Sequence, residues 1–279
     1  MKKIFVLVAT LFVCSLFANA QNIVIEPELQ TILNQKGDDY IDINIIFKSK
    51  MSTTELQALN CKSDSKEIRR ELIANELMKF SLRTQSDVMA VLRAEERNNK
   101  VIDIESYWLT NFINCKAKRD VIYQLASHPD VAKIIYNQEM EVVTDAIETN
   151  NRDTQVSSVE IGNHLTQINA DKTWDLGYTG KGVVVAILDS GVNIDHIDLK
   201  DHLWNGNGRY GFNALSPSQA PFDDRGHGTH CAGIICGDGN SGKITGVAPD
   251  ATLMTVKVVN RTGGGTPAQM MSGVEFAIE

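Results

Sequence analysis

The stretch 183–191, VVVAILDSG, limits the possible folds most. It is apolar, rich in β-branched residues and without a polar alternation, so it reads as a strand buried on both faces. That is the pattern of a parallel sheet covered by helices on each side. Polarity changes abruptly at Asp189, and in such sheets ligands gather at the carboxyl ends of strands. An aspartate after a strand is usually a turn former or helix cap, but the Ser-Gly that follows and a histidine downstream point to chemistry instead.

That histidine lies in 226–233, GHGTHCAG, where His227 stands between glycines at the start of an expected helix. A carboxylate at a strand end and an imidazole at a helix start are two members of a nucleophilic relay. His230 falls one turn later and is expected to point inward as a structural histidine, and His196 likewise. A metal site built from His227, His230 and Asp189 lacks the glutamate of the HExxH pattern. The run 237–242, GDGNSG, matches GxGxxG, and its extension to Lys243 imitates a phosphate loop. Ile244 stands where that loop needs Ser or Thr, and the glycines follow a helix instead of leaving a strand, so both matches are rejected.

The 279 residues allow one large or two modest domains, and 43% apolar with 22% charged residues is an ordinary globular balance. A net charge of −8 and the absence of a Lys/Arg stripe argue against nucleic acid as a partner. Lys2 and Lys3, the apolar run 4–13 and the small residues Ala18 and Ala20 make 1–20 a signal peptide, too short to span a membrane. The mature chain is therefore expected to be secreted, extracellular or periplasmic, with no membrane association. Past Cys14, four cysteines (Cys61, Cys115, Cys231, Cys236) allow three disulfide connectivities; buried free thiols are the expectation.

Between the leader and the catalytic motifs, IDINIIFK at 41–48 alternates as a half-buried strand. Ile68, Leu72, Ile73, Leu77, Phe80, Val88, Val91 and Leu92 recur at helical spacing over 65–98. Strands near 101–108, 112–117 and 131–136 and a helix near 119–127 complete the order strand, helix, strand, strand, helix, strand. That is the ferredoxin-like order. The polar stretch 143–160 has too little apolar surface to order itself and reads as an exposed linker.

The motifs DSG at Asp189, HGTHCAG at His227, and GVAP at Gly246 leading into VKV at Val256 resemble, in that order, the subtilisin-like serine proteases. The cysteine after HGTH is the variant of the proteinase K branch. The resemblance implies that Asp189 orients His227 as the general base, that a serine in a GTSMA motif and an oxyanion-hole asparagine follow beyond Glu279, and that 161–279 is an incomplete three-layer α/β domain with a mostly parallel sheet. HPDVAKIIYNQ, from His128 to Gln138, resembles the close of the family's propeptides. It makes 21–145 a ferredoxin-like α+β propeptide that inhibits its own enzyme and assists its folding, with 146–160 as the activation linker.

The resemblance further implies that Gly263, Gly264 and Gly265 form an edge on which a peptide substrate pairs as an extra strand, and that Asp198 and Asn240 lie at a structural calcium site, an ion the oxygen chemistry suits. No cofactor is required for the chemistry. Thr266, Pro267 and Gln269 open a helix with a capping box. That helix reaches Glu279 without a stop, so the chain is expected to be the front part of a longer protease precursor and inactive alone. The competing expectation is an inhibitor, folding aid or other catalytically inactive binding protein.

Overall fold

The computed structural model describes residues 24–35, 37, 39–141, 159–206 and 208–279. The expected leader 1–20 and nearly all of the expected linker lie outside the described residues. The chain divides into two compact units, Met1–Tyr136 and Asn137–Glu279.

The first unit contains α1 (Pro27–Gln35), β1 (Ile41–Phe47), α2 (Thr53–Asn60), α3 (Lys66–Arg97), β2 (Val101–Tyr107), β3 (Phe112–Ala117), α4 (Arg119–Ala126) and β4 (Val131–Tyr136). Its sheet runs β2-β3-β1-β4 with every pair antiparallel. The alternation in β1 explains its central place: Ile41, Ile43, Ile45 and Phe47 are all buried. They meet Leu29 and Leu33 of α1, Val88 and Leu92 of α3, and Val121, Ile122 and Leu125 of α4.

Sequence periodicity makes α3 amphipathic along its whole length, but its buried residues are Ser81, Gln85, Val88 and Leu92, none of them before Ser81. The helix also packs with α2, and Ile68 stays exposed. Ser65 caps the helix by accepting from the Ile68 N–H. Gln85 anchors it by donating to Tyr107 O (3.1 Å) and Asn111 Oδ1 (3.0 Å). Neither α1 nor α2 is evident from the pattern of apolar residues alone. Cys61, just past α2, is exposed, unlike the buried Cys115; the half-buried Cys231 and buried Cys236 are free as well.

The second unit contains β5 (Met140–Glu141), β6 (Glu160–Ile161), α5 (Asn163–Gln167), α6 (Ala170–Asp175), β7 (Val184–Asp189), β8 (Gly211–Asn213), α7 (His227–Cys236), β9 (Lys243–Ile244), β10 (Thr252–Lys257), β11 (Gly264–Gly265) and α8 (Pro267–Ile278). β10 pairs in parallel with β7, from Thr252↔Val184 to Lys257↔Asp189, and in parallel with β8. Alternate residues enter two clusters. Ile187 and Leu253 pack with Ala232 and Cys236 of α7, while Leu188 and Val256 pack with Met270 and Phe276 of α8. Val184, expected to be buried, is half exposed, because among the described residues β7 is paired on one edge only. β6 pairs in parallel with β9, which brings Glu160, placed in the expected linker, into a strand.

Candidate active site

Asp189 ends β7 and His227 begins α7. His227 Nδ1 lies 2.8 Å from Asp189 Oδ1 and 2.9 Å from Oδ2. A carboxylate only accepts, so Nδ1 carries the proton and Nε2 is left as the basic nitrogen. The Asp189 carboxylate is further held by the Ser190 N–H at 2.6 Å. Its own carbonyl accepts from Val258 and Val259 N–H, which ties the strand end to the segment after β10.

The start of α7 shows how the pair is positioned. The first N–H groups of a helix have no partner within it, and the residue before His227 is Gly226, which has no side chain to cap them and takes a left-handed φ of 95°. Asp223 does the capping from further back. Its carboxylate accepts from Arg225 N–H (3.0 Å), Gly226 N–H (2.9 Å), Thr229 N–H (2.9 Å) and the Thr229 hydroxyl. Burial raises its pKa, but these hydrogen bonds outweigh burial and hold it below the usual carboxylate value. A negative charge there also suits the positive end of the helix dipole.

Gly228 brings the helix against the turn after β7. A Cβ at this position would lie 2.0 Å from Gly191 O and 3.3 Å from Asp189 Cβ, so any side chain would push His227 away from its partner. Lys257, almost fully buried at the end of β10, donates to Ser190 O and to Asp224 Oδ1 (2.7 Å). The sequence motifs assign no role to Asp223 or Lys257, and mark Ser190 only as part of the Ser-Gly after Asp189. An acid a few residues before an expected helix start is a capping signal that could have found Asp223; nothing local marks Lys257.

Cys231, one turn after His227, places its sulfur 3.7 Å from Nδ1 and 3.9 Å from Nε2. It is nearly equidistant from the two nitrogens and so is aligned with neither the Nδ1–H nor the Nε2 lone pair. Burial, and then the charges of Asp189 and Asp223, raise its thiol pKa. The donor atoms of Asp189, His227 and Cys231 lie within 4.8 Å of one another, the one such group of three among the described residues.

His230 departs from its expected inward position. It is exposed and lines a cavity of about 1100 Å³ together with His164 and His196, because the face of α7 that carries it is turned away from the sheet. Asp198 is buried, and both of its carboxylate oxygens accept from Ser241. Asn240 turns its amide N–H to Asp238 Oδ2 (2.7 Å) and Ile197 O (3.4 Å). Asp198 and Asn240 thus share one neighbourhood, joined through Ser241, Ile197 and Asp238. Gly263, Gly264 and Gly265 are buried, and β11 pairs antiparallel with β5, Gly264 opposite Glu141 and Gly265 opposite Met140. No helix among the described residues is long and apolar enough to cross a membrane.

The chain is 43% identical over 129 residues to the Minor extracellular protease Vpr of Bacillus subtilis (strain 168), covering 44% of this chain and 16% of that protein. It is 29% identical over 226 residues to Bacillopeptidase F of the same organism, covering 75% of this chain and 16% of that protein. A third relative there, Serine protease AprX, is 34% identical over 176 residues, 61% of this chain and 35% of that protein. The chain therefore spans only a minor part of the length of these curated relatives. Residues 180–279, which contain both Asp189 and His227, match the family model described as the subtilase family.

Proposed function

We propose that this chain is the leading part of a secreted, subtilisin-like serine endopeptidase precursor that hydrolyses peptide bonds in peptide or protein substrates. The observation that carries the reading is the His227 Nδ1 contact with both oxygens of Asp189, at 2.8 and 2.9 Å. Asp189 keeps the imidazole in one tautomer and stabilises the imidazolium that forms. His227 Nε2 takes the proton of a serine hydroxyl as the oxygen attacks the carbonyl carbon, and then gives it to the leaving amine. Water repeats the sequence on the acyl-enzyme. The serine and the oxyanion-hole asparagine belong to the part of the family's domain that follows residue 279, so the 279-residue chain is expected to show no peptidase activity.

The wider architecture follows the same reading: an incomplete three-layer α/β catalytic domain over 161–279, preceded by a ferredoxin-like propeptide over 21–145 and a cuttable joint at 146–160. The antiparallel pairing of Met140–Glu141 with Gly264–Gly265 supports a second role. A strand laid on that edge occupies the place of a peptide substrate, as an inhibitor would.

The test is a fluorophosphonate probe applied to the enzyme expressed from the complete gene. Labelling of one serine, lost in His227→Ala, is the expected result. Peptidase activity that survives His227→Ala, or that the probe leaves untouched, would overturn the reading.

A further inference from the structure

The segment just before β5 is held by side chains as well as by strand pairing. Asn260 Nδ2 donates to Glu139 Oε1 at 2.8 Å. The same carboxylate lies against the bare backbone of Gly264, where a Cβ would come within 2.0 Å of Oε1. Asn260 Oδ1 meanwhile accepts from the N–H groups of Thr262 (2.9 Å) and Gly264 (3.0 Å) and from the Thr262 hydroxyl (2.6 Å). The amide is therefore oriented by its own loop, with its N–H2 facing outward. Two residues earlier, buried Asn137 accepts from Ala268 N–H at 3.4 Å. All these partners lie within 260–268, the loop, strand and helix start that receive β5.

We propose that Asn260 and Gly264 form a specificity subsite for an acidic side chain, carried on a peptide strand at the residue preceding the pair that faces Gly265 and Gly264. The chain's own Glu139 occupies it here. Asn260 supplies a donor whose direction is set before binding, and Gly264 supplies the space. A lysine at the same place would point its ammonium at an N–H2 group with no acceptor to meet it, so the subsite discriminates by an unpaired charge as well as by attraction. The inference rests on the proteolytic reading for its use with substrates, but not for the contact itself.

The contact is tested in the full chain by hydrogen exchange of the Met140 and Glu141 amides. Asn260→Asp keeps the Oδ acceptor that the loop needs and sets a carboxylate against Glu139, so protection should fall about tenfold. Glu139→Gln alone should leave protection near that of the parent, because its side-chain oxygen still accepts. Combined with Asn260→Asp, it should restore protection, the new amide donating to the new carboxylate. Unchanged exchange in Asn260→Asp, or a loss that the double variant does not recover, overturns the subsite.

The second arm compares peptides that differ only by Glu or Lys at this place as substrates of the enzyme from the complete gene. A preference of about tenfold in kcat/KM for Glu, reversed by Asn260→Asp, is expected. Equal cleavage overturns the role in specificity. Absence of all cleavage speaks against the protease reading, while the exchange arm still decides the pairing.

Discussion

Ser190 Oγ donates to Asp223 Oδ1 at 2.8 Å and accepts from Gly228 N–H at 3.0 Å, so one buried hydroxyl joins the turn after β7 to the start of α7. Asp189 and His227 sit on either side of this link. Their 2.8 Å contact is thus flanked by side-chain links through Ser190 and Asp223, and the Asp223 link can be altered separately from the chemistry.

Replacing Asp223 by alanine leaves the Arg225, Gly226 and Thr229 N–H groups and two hydroxyls without their acceptor. We expect a loss of about 1–3 kcal/mol in unfolding free energy, from the capping and buried-hydrogen-bond contributions together. Denaturant unfolding of the full chain measures it. A change within about 0.5 kcal/mol, the range of an ordinary surface substitution, would remove Asp223 from this role.

Acid should expose the same residue. Its folded pKa lies below the usual carboxylate value, and an unfolded aspartate titrates near about 3.9. A depressed folded value means that the stabilisation is fully present above the unfolded value and is lost as pH falls through the folded one. The stability gap between the parent chain and Asp223→Asn should therefore stay level from neutral pH to about pH 5 and narrow below about pH 4. A gap that widens in acid contradicts the assignment.

In the enzyme from the complete gene, Asp189→Asn should lower kcat by about 10⁴-fold with little change in stability, because an amide there favours the wrong imidazole tautomer. Gly228→Ala should also reduce kcat, but by displacing the helix, since its Cβ cannot fit 2.0 Å from Gly191 O. A distinct outcome separates them: Gly228→Ala lowers the unfolding midpoint as well, whereas Asp189→Asn does not.

Thiol accessibility gives a test that needs no activity. Cys61 is exposed, Cys115 and Cys236 are buried, and burial pushes the Cys236 thiol up to about 11. Iodoacetamide near pH 8, read by mass spectrometry at each site, should modify Cys61 first, with Cys231 slowed by its raised pKa and Cys115 and Cys236 reacting only after unfolding. Protection of Cys61 in the native chain would show that α2 packs differently.

The composition of short segments determined much of this protein without reference to the fold. Alternating isoleucines make β1 a strand with one buried face whatever surrounds it, and the Thr266 and Gln269 capping box does start α8. Asp189 and His227 could be singled out because the Ser-Gly after Asp189 and the HGTHCAG run at His227 resemble, in that order, the motifs of the subtilisin-like serine proteases. Other features depend on what lies across space. Full burial in α3 begins only at Ser81, although its apolar spacing is continuous from Ile68, because packing against the core is made by Val88 and Leu92. His230 is exposed despite its helical place, since which face of α7 meets the sheet is decided by packing. Asp223, Ser190 and Lys257 serve partners up to 67 residues away along the chain, and their hydrogen bonds exist only once β7, β10 and α7 have come together. Local pattern specifies which elements form; burial and hydrogen bonding between distant elements decide which side chains support the site.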